Sequence, residues 1–454
     1  MKKAYYYSVN KRTLKFLIPQ GKKILYYGLC DFSIVSLLNP VCLLCIHDEP
    51  AYIEKKRGDK FSFVYSPYAL YEPVQKFDYI VLDRVLIKTE GIGKVFENIF
   101  SACDEHTRII IRQQNHLWEP LLRLARFLGV GKKEKIKKGL SVSEVQAYLV
   151  SGGFEQTRTL RKTLFPFKLI YIGSFVNGLF TLIPLLDFLK FDQYIIARAL
   201  IDSCSKVNQH QSSLTICLTV RDEEKNIEPI VRSLPILTKN QELLFVEGHS
   251  KDNTITEIKR MQLAFPEKNI RLVHQQGKGQ GDAIRKGFNE ARGKIIVLYE
   301  GDGTSEPADI QYVYECMQQG RLEFIEGNRF YYPLVADAIP WLNKMGNKLF
   351  ARFFSLFLRQ RVSDVLSGIK AIKKEDFKQI DLTWGQLGVE DPFGDFELLY
   401  GAARYGLKIG EIPIHYKPRM YGKSKTQVFK HGACLLNMAL KGYWVFRTST
   451  PKND

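Results

Sequence analysis

The chain has 454 residues, 45% of them hydrophobic and 25% charged, with a formal net charge of +18. That length accommodates two or three domains, each able to bury its own core, and the composition excludes a largely disordered chain. The positive balance suits an anionic partner such as a membrane surface or a phosphorylated substrate; with no zinc-finger, RNA-recognition or homeodomain pattern present, nucleic acid is set aside.

Met1-Lys2-Lys3 is basic but runs into tyrosines and polar residues, not an apolar core, so no signal peptide is expected. From about Lys22 to Leu200 strands and helices alternate. Ile24–Tyr27 and Val41–Ile46 read as buried strands, and Phe77–Leu82 and Arg108–Arg112 as two more. Ser141 and Glu144 have the spacing of a capping box, opening a helix that stops near Gly152-Gly153. The alternation predicts a parallel sheet with helices on its faces. The eight cysteines are scattered through apolar segments, as in a reduced cytosolic protein. Cys42 and Cys45 have CxxC spacing, but residues three apart in a strand face opposite ways, so no metal site is expected there.

Leu169–Leu186 carries no charged side chain. It stands at the lower length limit of a spanning helix and is interrupted by Gly173, Asn177, Gly178 and Pro184. A membrane-surface hairpin or interfacial helix fits it better than a full span, and a buried helical insertion is the other reading. Val207–Ser213 is polar and reads as a linker. A second strand–helix series follows, with strands expected at Leu214–Val220, Glu242–Val246, Ile270–His274 and Lys294–Tyr299.

The last of these strands runs into Glu300-Gly301-Asp302. In extended chain residues i and i+2 face the same way, so Glu300 and Asp302 can share a site, with Gly301 leaving room for close approach. Carboxylates at a strand end are suited to Mg²⁺ or Mn²⁺, which would neutralise the charge of a departing diphosphate. Acids, glycines and a lysine also follow the other three strands: Asp222-Glu223-Glu224, Glu247-Gly248 through Asp252, and Gly277-Lys278-Gly279. In open α/β sheets ligands bind at the carboxyl ends of strands, so the four strand ends read as one site. Two rival phosphate motifs fail. Gly277 to Asp282 lacks the third glycine of GxGxxG, and Gly287 to Ile295 has the wrong spacing and no Ser or Thr for a P-loop.

The segment from Leu214 to about Gly432 resembles an inverting family-2 glycosyltransferase of the GT-A fold, most nearly the polyprenyl-phosphate sugar transferases such as dolichyl-phosphate mannose synthase. The matching stretches are Asp222 to Ile227, Val246 to Thr254, Gly277-Lys278-Gly279, Glu300-Gly301-Asp302, Asp364 to Gly368, Gly394 to Glu397, and Arg419 to Lys425. The resemblance implies a hexosyltransferase-like enzyme using a UDP- or GDP-linked sugar. Asp222, Glu223, Glu247, Asp252 and Lys278 would bind the donor. Asp302 with Glu300 would hold the metal. Arg419 and Lys425 would bind donor diphosphate or acceptor phosphate, and Asp395 would be the base, with Glu397 second. It also implies an acceptor such as a polyprenyl phosphate or another membrane-associated precursor of a cell-envelope glycan. The sequence departs from the family at Gly248, where a second acid is usual, and at Glu300, where aspartate is usual. Residues 428–454 are too polar and short for the spanning helices of many relatives, so peripheral contact at the cytoplasmic face of the membrane is expected.

Residues from about Lys22 to Leu200 resemble, more weakly, a class I methyltransferase-like domain with a Rossmann-like sheet. The resemblance rests on Ile24 to Phe32, Phe77 to Leu82, and Ser143 to Glu155. Of the glycine-rich loop only Gly28 remains, and Leu29 and Phe32 would fill the methionine space. A degenerate domain is expected, without S-adenosylmethionine as cofactor. The expected organisation is therefore α/β in two domains: 1–206, with an apolar insertion near 164–190; a linker, 207–213; and the transferase, 214–454. A bifunctional methyl- and glycosyltransferase and a non-catalytic nucleotide-sugar or lipid-binding module are the alternatives.

Overall fold

The computed structural model describes residues 4–28, 38–47, 61–68, 71–89, 91–127, 139–163, 183–201, 211–334, 339–386, 391, 393–419, 421 and 428–449. The chain divides into two compact units, Met1–Ile201 with Arg447–Thr450, and Asp202–Phe446 with Pro451–Asp454. Both are α/β, and among the described residues each has a mixed sheet of seven strands.

The first unit opens with helix α1 (Ala4–Leu17), followed by β1 (Lys23–Tyr27), β2 (Cys42–His47), β3 (Phe61–Tyr65) and β4 (Tyr79–Asp83). Then come α2 (Ile92–Phe100), β5 (Arg108–Gln114), α3 (Glu119–Phe127), α4 (Val142–Ser151), β6 (Phe154–Lys162) and β7 (Asp192–Ala199). The four expected strands are present as β1, β2, β4 and β5. Helix α4 begins at a capping box in which the Glu144 N–H donates to Ser141 Oγ and the Ser141 N–H to Glu144 Oε2, and it ends at Gly152. β4 is buried at all five positions, which explains its unbroken apolar run.

The sheet order is β3-β2-β1-β4-β5-β7-β6, parallel from β3 to β5, whereas β7 runs antiparallel to both β5 and β6. The expectation of a wholly parallel sheet is corrected here. β6 and β7 escape a sequence reading because arginines sit in them. Arg158 and Arg198 are buried, and neighbouring Arg112 of β5 is neutralised by Asp83 at 3.0 Å and Asp192 at 3.5 Å. Cys42 is half-buried and Cys45 buried, and neither forms a disulfide. Of the apolar run Leu169–Leu186, residues 169–182 lie outside the described residues, as do residues 207–210 of the expected linker 207–213.

In the second unit the elements are β8 (Leu214–Val220), α5 (Glu224–Ser233), β9 (Gln241–Glu247), α6 (Thr254–Ala264), β10 (Ile270–His274), α7 (Gln280–Glu290) and β11 (Ile295–Glu300). They continue as α8 (Ile310–Gln318), β12 (Phe324–Asn328), α9 (Trp341–Leu358), β13 (Lys370–Lys373), α10 (Lys374–Asp381), α11 (Asp395–Arg404), β14 (Ile409–Pro413) and α12 (Val428–Thr448). All four expected strands are found, within one residue at either end. The order is β10-β9-β8-β11-β13-β12-β14. β8 to β11 are parallel and level, with Val220 opposite Glu247, Glu247 opposite His274, and Glu300 opposite Thr219. That register brings four carboxyl ends to one edge. β13 reverses direction between β11 and β12. One face of the sheet packs Ile216, Leu218, Phe245 and Val297 against Ile227, Val231, Ile258 and Val313 of the helices.

Candidate functional site

The loops after β8 and β9 are stitched together by their own carboxylates. Asp222, in a left-handed backbone conformation with φ 53°, accepts the Lys251 N–H at 2.7 Å, and its own N–H donates to Ser250 Oγ at 3.0 Å. Asp252 accepts the Glu224 N–H at 3.1 Å and the Thr254 N–H at 3.0 Å. Burial works to raise the Asp252 carboxyl, but these hydrogen bonds outweigh it and hold the group below the usual carboxylate range. Glu247 is buried, accepts the Ser250 N–H, and has His274 Nδ1 3.0 Å from Oε2. Burial again acts upward there, and the bonds from Ser250 and His274 again win. Lys278 is exposed in the bend before α7.

A second layer comes from the far end of the domain. Residues 415–417 run beside 304–306, through a bridge between Ser305 and Tyr416 and a Lys417 N–H bond to the Thr304 carbonyl at 2.7 Å. This pairing delivers Arg419 to the acidic strand end. Its guanidinium donates to Asp302 Oδ2 at 2.7 Å and to Glu223 Oε1 at 3.1 Å. Asp302 Oδ1 accepts the Thr304 N–H at 3.0 Å and hydroxyl at 2.7 Å. Lys425 lies outside the described residues.

Glu300 turns inward. It accepts from Gln280 Nε2 at 2.5 Å and lies over Gly368, where a β-carbon would come within 2.5 Å of Glu300 Oε2. A residue larger than glycine there would expel the carboxylate. Burial, then the charges of Asp302 and Asp395, push the Glu300 carboxyl up to about 7. Asp395, at the start of α11, pairs with Lys370 at 3.3 Å, and Lys370 also reaches Glu326 at 3.2 Å. Burial raises Asp395 to about 6 and Glu326 to about 8, against the pull of Lys370. Arg329 forks onto Asp364 with two bonds of 2.8 Å and lies 5.2 Å from the Tyr416 ring centre. Its charge is felt by Glu300 and Asp395.

The structure thus gathers Glu223, Glu300, Asp302, Asp395 and Arg419 and separates Glu397 from them. Asp395 and Glu397 are two residues apart on a helix, about 200° around its axis. The surroundings of Glu397 are the Gly385 backbone, Asp391, Arg285 and Arg404, and burial pushes its carboxyl up to about 7. Nor does Asp395 cap α11. That task falls to Asp391, which accepts the N–H groups of Phe396 at 2.8 Å and Glu397 at 3.0 Å. Among the described residues no group of three or more His, Cys, Asp or Glu side chains is arranged as a metal cage. Asp302 faces Arg419. Lys370, Glu326, Arg329 and Gln280 were not singled out from the sequence. Glu326 and Lys370 are directly opposite across an antiparallel strand pair, which composition and spacing do not show.

The raised Glu300 carboxyl has a pH consequence. Its folded value, about 7, lies above the ordinary 4.5, so its contribution to stability is present in full below about pH 4.5 and is lost as pH rises through about 7. At about 1.4 kcal/mol per unit the loss is on the order of 3 kcal/mol at pH 8. Glu300→Gln, without divalent metal, should raise the melting temperature at pH 8 and leave it little changed at pH 4. Equal shifts at both pH values would contradict the assignment.

Residues 215–381 match the family described as Glycosyl transferase family 2. Glycosyltransferase AglJ of Haloferax volcanii is 29% identical over 181 residues, 40% of this chain and 55% of that protein, so the chain spans about half of that relative's length. The UDP-N-acetylglucosamine–dolichyl-phosphate N-acetylglucosaminyltransferase of Methanococcus voltae is 28% identical over 207 residues, 42% of this chain and 81% of that protein. The crystal structure of glucosyl-3-phosphoglycerate synthase from Mycobacterium tuberculosis, in complex with Mn²⁺, UDP and glucosyl-3-phosphoglycerate, is a distant likeness. It has a TM-score of 0.38 and 17% identity, covering 53% of this chain and 82% of that one. The family match takes in all four strand ends together with Arg329 and Lys370, and by it residues 215–381 are a glycosyl transferase family 2 domain.

Proposed function

We propose that the second unit is an inverting, metal-dependent GT-A glycosyltransferase that moves a sugar from a nucleotide-diphosphate donor to a lipid-phosphate acceptor at the cytoplasmic face of a membrane. The observation that carries this reading is the meeting of Glu223 and Asp302 on Arg419 beside Glu300 and Asp395. The relative named for UDP-N-acetylglucosamine and dolichyl phosphate supports the donor and acceptor classes, and the net charge of +18 supports an anionic surface.

The chemistry of these acids suits a divalent cation. Glu300, Asp302 and Asp395 are hard oxygen donors, and burial, then the charges of the other two, push the Glu300 carboxyl up to about 7. Asp302 and Glu300 would hold the ion, which when bound would neutralise the departing diphosphate. Arg419 would turn from Asp302 and Glu223 to the diphosphate, where a guanidinium forks well onto phosphate oxygens, and Lys425 would assist. Asp222, Glu223, Glu247, Asp252 and Lys278 border the donor side. A phosphate acceptor is already anionic, so Asp395, neutralised in part by Lys370, positions it; with a hydroxyl acceptor it takes the proton. The test is transfer from a panel of UDP- and GDP-sugars to polyprenyl phosphate with Mn²⁺ or Mg²⁺. Donor binding with no transfer or hydrolysis would replace this reading with a non-catalytic binding module.

For the first unit we propose a degenerate class I methyltransferase-like scaffold. Its support is the strand order with a reversed β7, and Gly28, where a β-carbon would lie 2.6 Å from the Asp83 carbonyl oxygen. Leu29 to Phe32 lie outside the described residues. Calorimetric titration with S-adenosylmethionine should show no micromolar binding; micromolar affinity would favour the bifunctional enzyme.

A further inference from the structure

The outward side of helix α9 is apolar along one stripe. Trp341, Met345 and Leu349 follow one another four residues apart and are 66%, 61% and 69% exposed. Four-residue steps advance only 40° around a helix, so the three lie along one face. Lys344, Lys348 and Arg352 repeat at the same interval and flank that face. Helix α12 carries a second stripe in Leu436 and Leu440, 52% and 53% exposed, which Trp444 extends. Lys441 lies beside it. Neither helix contains an aspartate or glutamate.

The two helices are packed together. Phe353 of α9 stacks on Tyr443 of α12 with ring centres 5.3 Å apart, and Phe357 meets Tyr443 edge-on at 6.1 Å. At 100° per residue Phe353 and Tyr443 each sit at the border of their own helix's stripe, so the stripes adjoin along this seam. The other sides of the helices are committed to the domain. Phe354 stacks on Phe396 of α11, and the Tyr400 hydroxyl donates to the Met438 carbonyl at 3.1 Å. Asn347 donates to the Ser363 carbonyl at 3.4 Å and accepts the Val365 N–H at 3.3 Å, bracing the loop whose Asp364 holds Arg329.

Large apolar side chains exposed in a row mark an interaction surface. A stripe of tryptophan, leucine and methionine flanked by lysine and arginine, with no acid, is matched to a bilayer bearing anionic headgroups: the apolar face enters the interface and the cations meet the phosphates. No helix among the described residues is long and apolar enough to cross a membrane. We infer that the outward faces of α9 and α12 form a docking surface for an anionic lipid bilayer, lying on the surface without spanning it. The inference deepens the proposed action at a membrane. It places the bilayer against the two helices that brace α11, which begins with Asp395, and the Asp364 loop. A membrane-held acceptor would then reach the acid cluster from that side.

The test is co-sedimentation of the full chain with phosphatidylcholine vesicles, with and without phosphatidylglycerol. Binding should require the anionic lipid. Each basic side chain at a charged surface is worth about a fivefold factor, so Lys344→Ala with Lys348→Ala should weaken binding roughly 25-fold. Met345→Glu with Leu349→Glu should abolish it. Because these side chains face outward, both variants should keep the parent's melting temperature and donor hydrolysis. Unchanged sedimentation of either variant, or equal binding to neutral vesicles, would overturn the inference. So would a fall from dimer to monomer in the Met345→Glu/Leu349→Glu protein with lipid binding intact, which would identify the face as a contact between copies. Vesicle binding that follows this pattern in a protein without transfer activity would uphold the docking surface and remove the proposed reaction instead.

Discussion

Asp302→Ala should lower metal-dependent turnover of the nucleotide sugar by about three orders of magnitude, the equivalent of about 4 kcal/mol of transition-state stabilisation. Asp302 is the acid best placed to exchange one positive partner for another. Its Oδ1 is fixed by the Thr304 N–H and hydroxyl, while Oδ2 faces Arg419 at 2.7 Å. Alanine removes the carboxylate that would hold the ion and also frees Arg419, which keeps its bond to Glu223 at 3.1 Å. Binding of a nucleoside diphosphate should therefore survive better than turnover. Asp302→Asn separates the two roles. It can keep the turn with Thr304 but loses the charge, and its turnover should fall nearly as far. The measurement is initial rate against Mn²⁺ concentration, with diphosphate affinity by calorimetry. Turnover unchanged in Asp302→Ala would refute the metal assignment.

The largest expected effect on stability belongs to Lys370→Met. Lys370 lies between Glu326 at 3.2 Å and Asp395 at 3.3 Å, and all three are buried. Removing one partner of a buried ionic group leaves an uncompensated charge and costs about 3–5 kcal/mol. Urea unfolding at neutral pH should show a loss of that size. Glu326 already sits at about 8 and Asp395 at about 6 because burial disfavours their charged forms. Without the ammonium both rise further, so the acidic limb of the pH–rate profile should move to higher pH if Asp395 must be ionised to act. The double variant Lys370→Met/Glu326→Gln should regain much of the stability and keep the displaced limb. A single variant as stable as the parent would show that the ammonium does not balance these carboxylates.

Eight of the strands, β1, β2, β4, β5 and β8 to β11, and which ends of β8, β9 and β11 carry acids, could be read from the chain alone. Apolar runs such as Leu214–Val220 and Ile270–His274 are local signals, and the acids that follow β8, β9 and β11 are consecutive with them. The placement of Glu300 and Asp302 together at a strand end needs only the two-residue period of extended chain. The stripes of α9 and α12 are likewise periodic in the sequence. What the chain could not disclose were the partners of those side chains. Arg419 meets acids 117 and 196 residues away, and Lys370 meets Glu326 through an antiparallel pairing. Asp395 and Glu397 are two acids of one short segment, and the helix face each occupies sets their different surroundings. The reversed β7 is also a tertiary outcome: it brings Asp192 to the buried Arg112 of neighbouring β5, which Asp83 also meets. Sequence sets local conformation and periodic faces because those depend on near neighbours. Charge pairing, burial and the resulting carboxyl shifts depend on groups far apart in the chain, and only the folded structure brings them together.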